Sequence, residues 1–148
     1  MSLEKTEMSL EEIKILAENV LLNNGCNQNN ALAIAETVFK AERDGSESHG
    51  LFRIPGYVNS LKSGKVKGDA EPLIENELKS VITVDGNHGY APLSLKIGLP
   101  YLTKAALSNG IAVMKVINSF HFAALWPETE YLAENNLVSL ACTAYKPS

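Results

Sequence analysis

The sequence predicts an α/β fold in which an N-terminal helical hairpin precedes part of a mixed sheet with crossover helices. Two observations support this class. Residues 9–43 carry two amphipathic stretches at helical spacing, whereas the sequence from residue 81 onward alternates β-branched runs with helical patterns. We therefore expect an N-terminal helical segment at residues 1–65 and a partial α/β sheet domain at residues 66–148.

The first helix has a clear beginning and end in the sequence. Ser9 and Glu12 form an S-x-x-E capping box, and Gly25 is a typical helix stop. Its buried face is predicted to comprise Ile13, Leu16, Ala17, Val20 and Leu21. The short connection that follows predicts an antiparallel neighbour, so the pair forms a helical hairpin.

The second helix is capped by Asn27 and ends near Asp44-Gly45. Its buried stripe is predicted to comprise Ala31, Ile34, Ala35, Val38 and Phe39. A polar turn at residues 45–50 follows, and then a short helix from Phe52 to Leu61 that Ser63-Gly64 ends. We assign no chemistry to either helix of the hairpin.

The second half of the chain alternates predicted strands and helices. Their order is strand 81–85, helix 92–108, strand 111–116, helix 129–135 and strand 137–142. Such alternation indicates parallel strands joined by crossover helices. Residues 145–148 have the composition of a loop that follows a strand, so we expect the chain to be an incomplete portion of a larger domain.

Composition and charge exclude several function classes. The 148 residues include 45% hydrophobic and 20% charged residues, with a net charge of −4, which argues against a nucleic-acid surface. Apolar runs such as residues 137–141 are too short to span a bilayer, and the acidic N-terminus does not resemble a secretion signal. We expect a cytoplasmic protein with reduced cysteines (Cys26 and Cys142) and no metal, nucleic-acid or membrane partner.

The turn at residues 45–50 carries the first candidate site. Ser48 and His49 are adjacent and lie between two glycines, and a histidine beside a hydroxyl can act as a general acid or base. Arg53, in the first turn of the following helix, can hold a carboxylate by two parallel hydrogen bonds. A surface arginine paired with Glu47 or Asp44 is the alternative interpretation.

The second candidate site is the segment at residues 118–127, between a strand and a helix. It contains His121, small residues and the only tryptophan, Trp126. Free backbone N–H groups before a helix suit a phosphate or pyrophosphate, whereas the alternative is a loop packed by aromatic rings. The glycine-rich nucleotide motifs and the G-x-S-x-G elbow are absent, and residues 85–89 are interpreted as a structural turn.

Taken in order, these motifs resemble a known family. They are Arg43-Asp44-Gly45, Ser48-His49-Gly50-Leu51-Phe52-Arg53, Tyr57, Val84-Asp85-Gly86-Asn87-His88-Gly89, Gly110-Ile111-Ala112, and Asn118-Ser119 followed by His121-Phe122. The sequence is similar to the type-2 malate/L-lactate dehydrogenase family of NAD(P)-dependent oxidoreductases, over nearly the whole chain. The resemblance implies a non-Rossmann fold of the L-sulfolactate dehydrogenase type and a homodimer.

Two positions depart from the family pattern. Glycine and small residues usually follow the His-Phe or His-Tyr pair, whereas this chain continues with Ala123-Ala124-Leu125-Trp126-Pro127, and Glu47 stands where aspartate is common. The first variant resembles the branch of Δ1-piperideine-2-carboxylate and Δ1-pyrroline-2-carboxylate reductases. It therefore implies a cyclic imino acid as substrate. A 2-hydroxyacid (malate- or lactate-type) dehydrogenase and a non-catalytic dimerisation module are the alternatives.

The resemblance also implies a role for each site residue. His49 donates the proton to the imine nitrogen or carbonyl oxygen, Ser48 orients or relays to His49, and Arg53 binds the substrate carboxylate. The segment that lines the cofactor, NADP or NAD, comprises His121, Phe122, Ala123, Ala124 and Leu125. Because family members are longer and supply an acidic relay residue outside this stretch, we expect little or no reductase activity from these 148 residues alone.

Overall fold

The computed structural model describes residues 6–144 and the side chains of all of these except residues 76–78. The helices are α1 (Leu10–Asn23), α2 (Gln28–Arg43), α3 (Ile54–Lys62), α4 (Ala91–Asn109) and α5 (Trp126–Glu134). The strands are β1 (Leu73–Leu78), β2 (Val81–Asp85) and β3 (Val113–Ile117), and two short 3₁₀ turns occupy Glu47–His49 and Leu51–Arg53. Within the described residues, no helix has the length and apolarity to cross a membrane.

The N-terminal hairpin forms as its caps predict. Ser9 Oγ accepts the Glu12 N–H at 3.2 Å, and the Glu12 carboxylate accepts the Ser9 N–H at 2.8 Å, which completes the capping box. Asn27 caps α2 in the same way by accepting the Asn30 N–H at 3.0 Å. Both predicted helix starts are therefore confirmed, and the two helices pack side by side.

The hairpin shares its core with residues that come later in the chain. Ala17, Leu21, Ile34 and Val38 are almost completely buried, in one cluster with Tyr90 and several residues of α3. Burying such side chains fully stabilises the fold by about 1.5–3 kcal/mol each for the larger ones. This cluster fixes α3, and with it the polar turn that precedes α3, against the hairpin.

The sheet has the order β1-β2-β3 and is mixed, as predicted. β2 and β3 are parallel and are joined by α4, whereas β1 pairs antiparallel with β2. α4 packs tightly on the sheet at Gly98, where a Cβ would lie 2.5 Å from Met114 Sδ and 2.7 Å from Val84 Cγ2. Because α4 also contacts α2, it connects the hairpin to the sheet. The division of the chain at residue 65 stays a prediction.

The predicted strand at residues 137–142 is wrong. Residues 137–144 belong to no helix or strand, although Val138 and Leu140 are both more than 90% exposed, as on an unpaired strand. A strand requires a neighbour for its backbone hydrogen bonds, and local β propensity does not provide one. The predicted loop at residues 145–148 lies outside the described residues.

Two boundaries shift slightly from the sequence-based prediction. β3 begins at Val113 because Ile111 is 77% exposed and Ala112 precedes the first paired residue. α5 begins at Trp126, three residues earlier than predicted, because Pro127 occupies a position in the first turn, where its missing N–H costs nothing. Trp126 therefore belongs to the helix and not to the loop before it.

Candidate active site

The turn that carries Ser48 and His49 connects α2 to α3 through two consecutive 3₁₀ turns. Ser48 Oγ lies 2.9 Å from His49 Nδ1, and Ser46 Oγ lies 3.3 Å from the same nitrogen. Two hydroxyls therefore hold one ring nitrogen, and the described residues make no hydrogen bond to the other, Nε2. The side chains of the adjacent Ser48 and His49 are thus in contact, with Ser46 as an additional partner.

Glu42, near the C-terminal end of α2, binds the backbone just after the Ser-His turn. Its Oε1 accepts the Leu51 N–H at 2.7 Å. Gly50 lies directly over this carboxylate, and a Cβ there would overlap Oε1 and lie 2.5 Å from Glu42 Cδ. The second glycine of the Ser-His turn is thus required by close approach to a side chain and not by a positive φ, since its φ is −86°.

Arg53 folds back toward the Ser-His turn. Its Nε donates to the Ser48 carbonyl at 2.7 Å. Among the described residues no carboxylate lies within ion-pair distance of its guanidinium, so the alternative pairing with Glu47 or Asp44 is not seen. One edge of the guanidinium is used to orient the side chain, and the exposed remainder can receive a carboxylate.

His121 lies close to the same cluster, although it is separated from it by more than 60 residues of sequence. Its Nε2 lies 2.7 Å from Ser60 Oγ on α3, and its ring centroid is 5.0 Å from that of Tyr57 and 5.8 Å from that of Tyr90. Desolvation by these rings lowers the pKa of His121, and the positive charge of Arg53 lowers it further. The two predicted sites are therefore close to each other, since the charge of Arg53, which binds the Ser48 carbonyl, also acts on His121.

The loop around His121 has an unusual backbone. His121 and Ala123 have φ values of +51° and +61°, in the left-handed region that non-glycine residues seldom adopt. Phe120 and Tyr90 form an isolated parallel bridge just before this loop, with the Ala91 N–H donating to the Phe120 carbonyl at 2.9 Å. The bridge continues the sheet edge briefly and holds the loop across the start of α4.

On its other side, the loop borders an apolar groove of about 260 Å³. Phe122, Ala123 and Pro127 line one wall, and Lys40 and Lys96 lie at its margin. The same short segment thus presents His121 to Ser60 and Tyr57 of α3 and its next two residues to the groove. Burial in this region also raises the pKa of Glu128 above its ordinary value.

Trp126 connects the loop to the Ser-His turn. Its ring is 5.9 Å from that of His49, centroid to centroid, in an edge-to-face arrangement at 80°. Its Nε1–H donates to Asp44 Oδ2 at 2.7 Å. Hydrogen bonds from Arg43, and then that from Trp126, lower the pKa of the Asp44 carboxyl. In the described residues, no group of three His, Cys, Asp or Glu side chains is placed to bind a metal ion.

The malate/L-lactate dehydrogenase family matches residues 8–148. The chain belongs to this family. It is 41% identical over 140 residues to Δ1-pyrroline-2-carboxylate reductase 1 of Burkholderia ambifaria, a match that covers 95% of this chain and 41% of that protein. It is 40% identical over 136 residues to the Δ1-pyrroline-2-carboxylate/Δ1-piperideine-2-carboxylate reductase of Pseudomonas aeruginosa, covering 92% and 41%.

Solved structures of this dehydrogenase family share the fold. The Δ1-piperideine-2-carboxylate reductase of Pseudomonas syringae superposes with a TM-score of 0.83 at 38% identity, over 88% of this chain and 39% of that one. The sulfolactate dehydrogenase of Methanocaldococcus jannaschii does so with a TM-score of 0.80 at 26% identity, over 87% and 38%. The chain therefore spans about two-fifths of the length of the relatives it matches, and its L-sulfolactate dehydrogenase-like fold is confirmed.

In this member of the dehydrogenase family, sequence reasoning missed four residues of the site: Ser46, Glu42, Asp44 and Ser60. Ser46 was detectable, because a serine three residues before a histidine in a turn can reach its ring. The other three act across elements, and their spacing carries no signal. Asp44, for example, lies 82 positions before the indole it binds.

Proposed function

We propose that this chain is part of an NAD(P)-dependent reductase of small cyclic imino acids such as Δ1-pyrroline-2-carboxylate or Δ1-piperideine-2-carboxylate, acting in the cytoplasm. The observation that carries the proposal is the contact of Ser48 with His49 beside the Arg53 guanidinium. This arrangement supplies a proton donor and a carboxylate anchor on one turn. The reductases that match it act, by their names, on substrates that carry both an imine and a carboxylate.

The residues of the turn suggest how the proton is handled. The two hydroxyls of Ser46 and Ser48 hold Nδ1 of His49, so Nε2 is the nitrogen that faces a ligand. A protonated imidazole there donates to the substrate nitrogen as the neighbouring carbon accepts a hydride. Arg53 receives the carboxylate and thereby sets the distance between the imine nitrogen and His49.

The segment from His121 to Leu125 is proposed to hold the nicotinamide end of NADP or NAD, which supplies the hydride when bound. The residues present fit part of such a molecule. The groove beside Phe122 and Ala123 is about 260 Å³ and mostly apolar, which suits one ring. Lys40 and Lys96 also line it, and each is ion-paired, with Glu130 and Glu36 respectively. The groove is smaller than the roughly 300–1,000 Å³ of typical cofactor sites, so it fits one end of the dinucleotide.

The test is binding of pyrrole-2-carboxylate, a planar five-membered-ring carboxylate that resembles the imino acid. Trp126 is the only tryptophan, so its emission reports on the site. We expect saturable quenching that Arg53→Ala weakens at least tenfold and Arg53→Lys weakens less. Lys62→Ala, an exposed cation at the end of α3, is the matched control. Equal binding by Arg53→Ala and the wild type would refute the carboxylate role of Arg53.

A second candidate function, 2-hydroxyacid dehydrogenation, is favoured by one observation. The malate dehydrogenase of Entamoeba histolytica has the same fold, with a TM-score of 0.82 at 27% identity. A proton donor and a carboxylate anchor serve that reaction equally well. Competition by the imino acids and by pyruvate and oxaloacetate for the pyrrole-2-carboxylate site separates the two, and tighter binding of the oxoacids would favour dehydrogenation.

We also propose a homodimer. Ile111 and Val113 are 77% and 55% exposed beside β3, which is an edge strand of the described sheet. Exposed apolar side chains at an open edge favour association. Light scattering across a hundredfold range of concentration tests this, and a constant monomer mass would contradict it. Val113→Lys is the variant expected to weaken the dimer.

A further inference from the structure

Trp126 occupies a special position, because it contacts the proposed proton donor and is itself anchored to another helix. Its ring meets His49 edge to face, and its Nε1–H is bound by Asp44 at the end of α2. Asp44 does not contact His49 through any hydrogen bond among the described residues. The chain of direct contacts from Asp44 to the histidine therefore runs through the indole.

An ion pair with Arg43 fixes the position of the Asp44 carboxylate. Arg43 donates to its two oxygens, from Nε at 2.7 Å and from Nη2 at 2.9 Å, in a bidentate pair. The same guanidinium reaches Glu130 on α5 at 2.6 Å, and Lys40 reaches Glu130 at 3.0 Å. The end of α2 and the beginning of α5 are thus joined by a network of charges with the indole hydrogen bond at one end.

The imidazole of His49 requires such a constraint. Rotation about the Cβ–Cγ bond of histidine has a broad, nearly two-fold profile, so the ring can exchange its two edges at little cost. The hydroxyls of Ser46 and Ser48 are themselves rotatable. The edge-to-face contact with the indole restricts the tilt of the imidazole plane, and the two hydroxyls at Nδ1 distinguish its two edges, so that together they favour one direction for Nε2.

We propose that Asp44 is a positioning residue that holds the indole of Trp126 against His49, so that Nε2 of His49 keeps one direction toward the substrate. This role rests on the proposed function, in which His49 is the proton donor. Neither Asp44 nor Trp126 is assigned a contact with the substrate. Glu42, Glu47 and Arg53 are the other charged groups around the turn, and all three are unchanged in the variants below.

The test is NMR of the full 148-residue chain without ligand. A single tryptophan gives a single indole Nε1–H signal, and a nuclear Overhauser effect to the His49 ring reports their contact. We expect Asp44→Leu to increase the exchange of the indole proton with solvent at least tenfold and to abolish this effect. Asp44→Asn, which keeps an acceptor oxygen, should retain both signals. Glu134→Leu, an exposed acid on α5, is the matched control.

The outcomes are distinct. Unchanged exchange and an unchanged Overhauser effect in Asp44→Leu would overturn the proposal. Equal losses in Asp44→Asn and Asp44→Leu would also overturn it, because the ion pair with Arg43 and not the indole hydrogen bond would then be responsible. If Asp44→Leu fails to fold, Trp126→Phe keeps a ring but removes the donor, and a second set of His49 ring signals is expected; one unchanged set would overturn the role.

The positioning role of Asp44 and the proposed function are tested by different measurements, so that one can be refuted without the other. The proximity of the two rings is read without any ligand, whereas the proposed function is read from binding of pyrrole-2-carboxylate. A chain with ordered ring signals that binds no carboxylate would refute the function alone. The positioning role alone would be overturned if Asp44→Leu kept the contact between the indole and the His49 ring while the wild type bound pyrrole-2-carboxylate as expected.

Discussion

Gly50→Ala should destabilise the protein by removing a single hydrogen bond. The new Cβ would overlap Glu42 Oε1 and lie 2.5 Å from its Cδ, so the carboxylate must leave the Leu51 N–H that it now accepts at 2.7 Å. A hydrogen bond to a charged group contributes about 1.5–3 kcal/mol, and because Glu42 is half-buried we expect the lower part, about 1.5–2 kcal/mol. For a chain of this size that lowers Tm by about 3–8 °C.

The assay is thermal unfolding followed by circular dichroism, with Gly56→Ala as the control. Gly56 lies within α3, and a methyl group added there would have no atom within 4 Å, so alanine should leave the stability unchanged or raise it by up to about 1 kcal/mol. In a Glu42→Ala background, Gly50→Ala should cost less than about 0.5 kcal/mol, since the obstructing side chain is gone. The same cost in both backgrounds would refute the reasoning.

Three further predictions concern packing, pH and thiol chemistry. Gly98→Ala forces a methyl group between α4 and the sheet and should cost about 1–3 kcal/mol in the same unfolding assay; a cost no larger than that of a surface alanine would contradict this. Because Arg43 lowers the pKa of Asp44, the stability from Asp44 is present above its unfolded pKa and is lost as the pH falls through the lowered value. A Tm profile from about pH 5 down to about pH 2 should therefore flatten in Asp44→Asn. Burial raises the pKa of Cys26 to about 11, whereas Cys142 is exposed, so a thiol reagent at neutral pH should label Cys142 rapidly and Cys26 only after unfolding; equal rates would argue against the buried position.

The elements that could be predicted from the sequence are those whose signals are local. The capping box at Ser9 and the Asn27 cap bond groups within one turn, so the residues that decide the helix starts are neighbours in sequence. Strand β2 is a β-branched run between polar residues, and Gly110, with φ +80°, ends α4. The Ser48-His49 pair and its contact with Arg53 fall within six residues of each other.

The elements that were missed depend on distant partners. β1 carries alternating charges and is joined to β2 by Lys79-Ser80, a pair without the glycine or asparagine that marks most tight hairpins. It becomes a strand because β2 offers it a row of backbone partners, which is interrupted by an irregularity between Ile74 and Asn76. The predicted strand at residues 137–142 has strong β propensity but no such row among the described residues, and it therefore stays unpaired.

The candidate site likewise contains residues with a local sequence signal and residues whose contacts depend on other parts of the chain. Its chemical groups were found because they cluster on one turn or follow known motifs. The supporting contacts of Glu42 and Asp44 were not, since the first depends on the path of the turn after α2 and the second on where α5, 82 residues later, is placed. The roles of the site residues toward substrate and cofactor stay predictions until ligand binding is measured.

The contact between Ser60 and His121 links the tautomer of that ring to the direction of the Ser60 hydroxyl. A hydroxyl has one proton, and Ser60 donates it to the Gly56 carbonyl at 3.0 Å. In that arrangement Ser60 accepts from His121, so that the proton of the neutral ring is on Nε2 and Nδ1 keeps its lone pair. Desolvation by burial, which lowers the pKa of His121, favours the neutral ring. A ligand group that approaches Nδ1 of His121 consequently meets a hydrogen-bond acceptor.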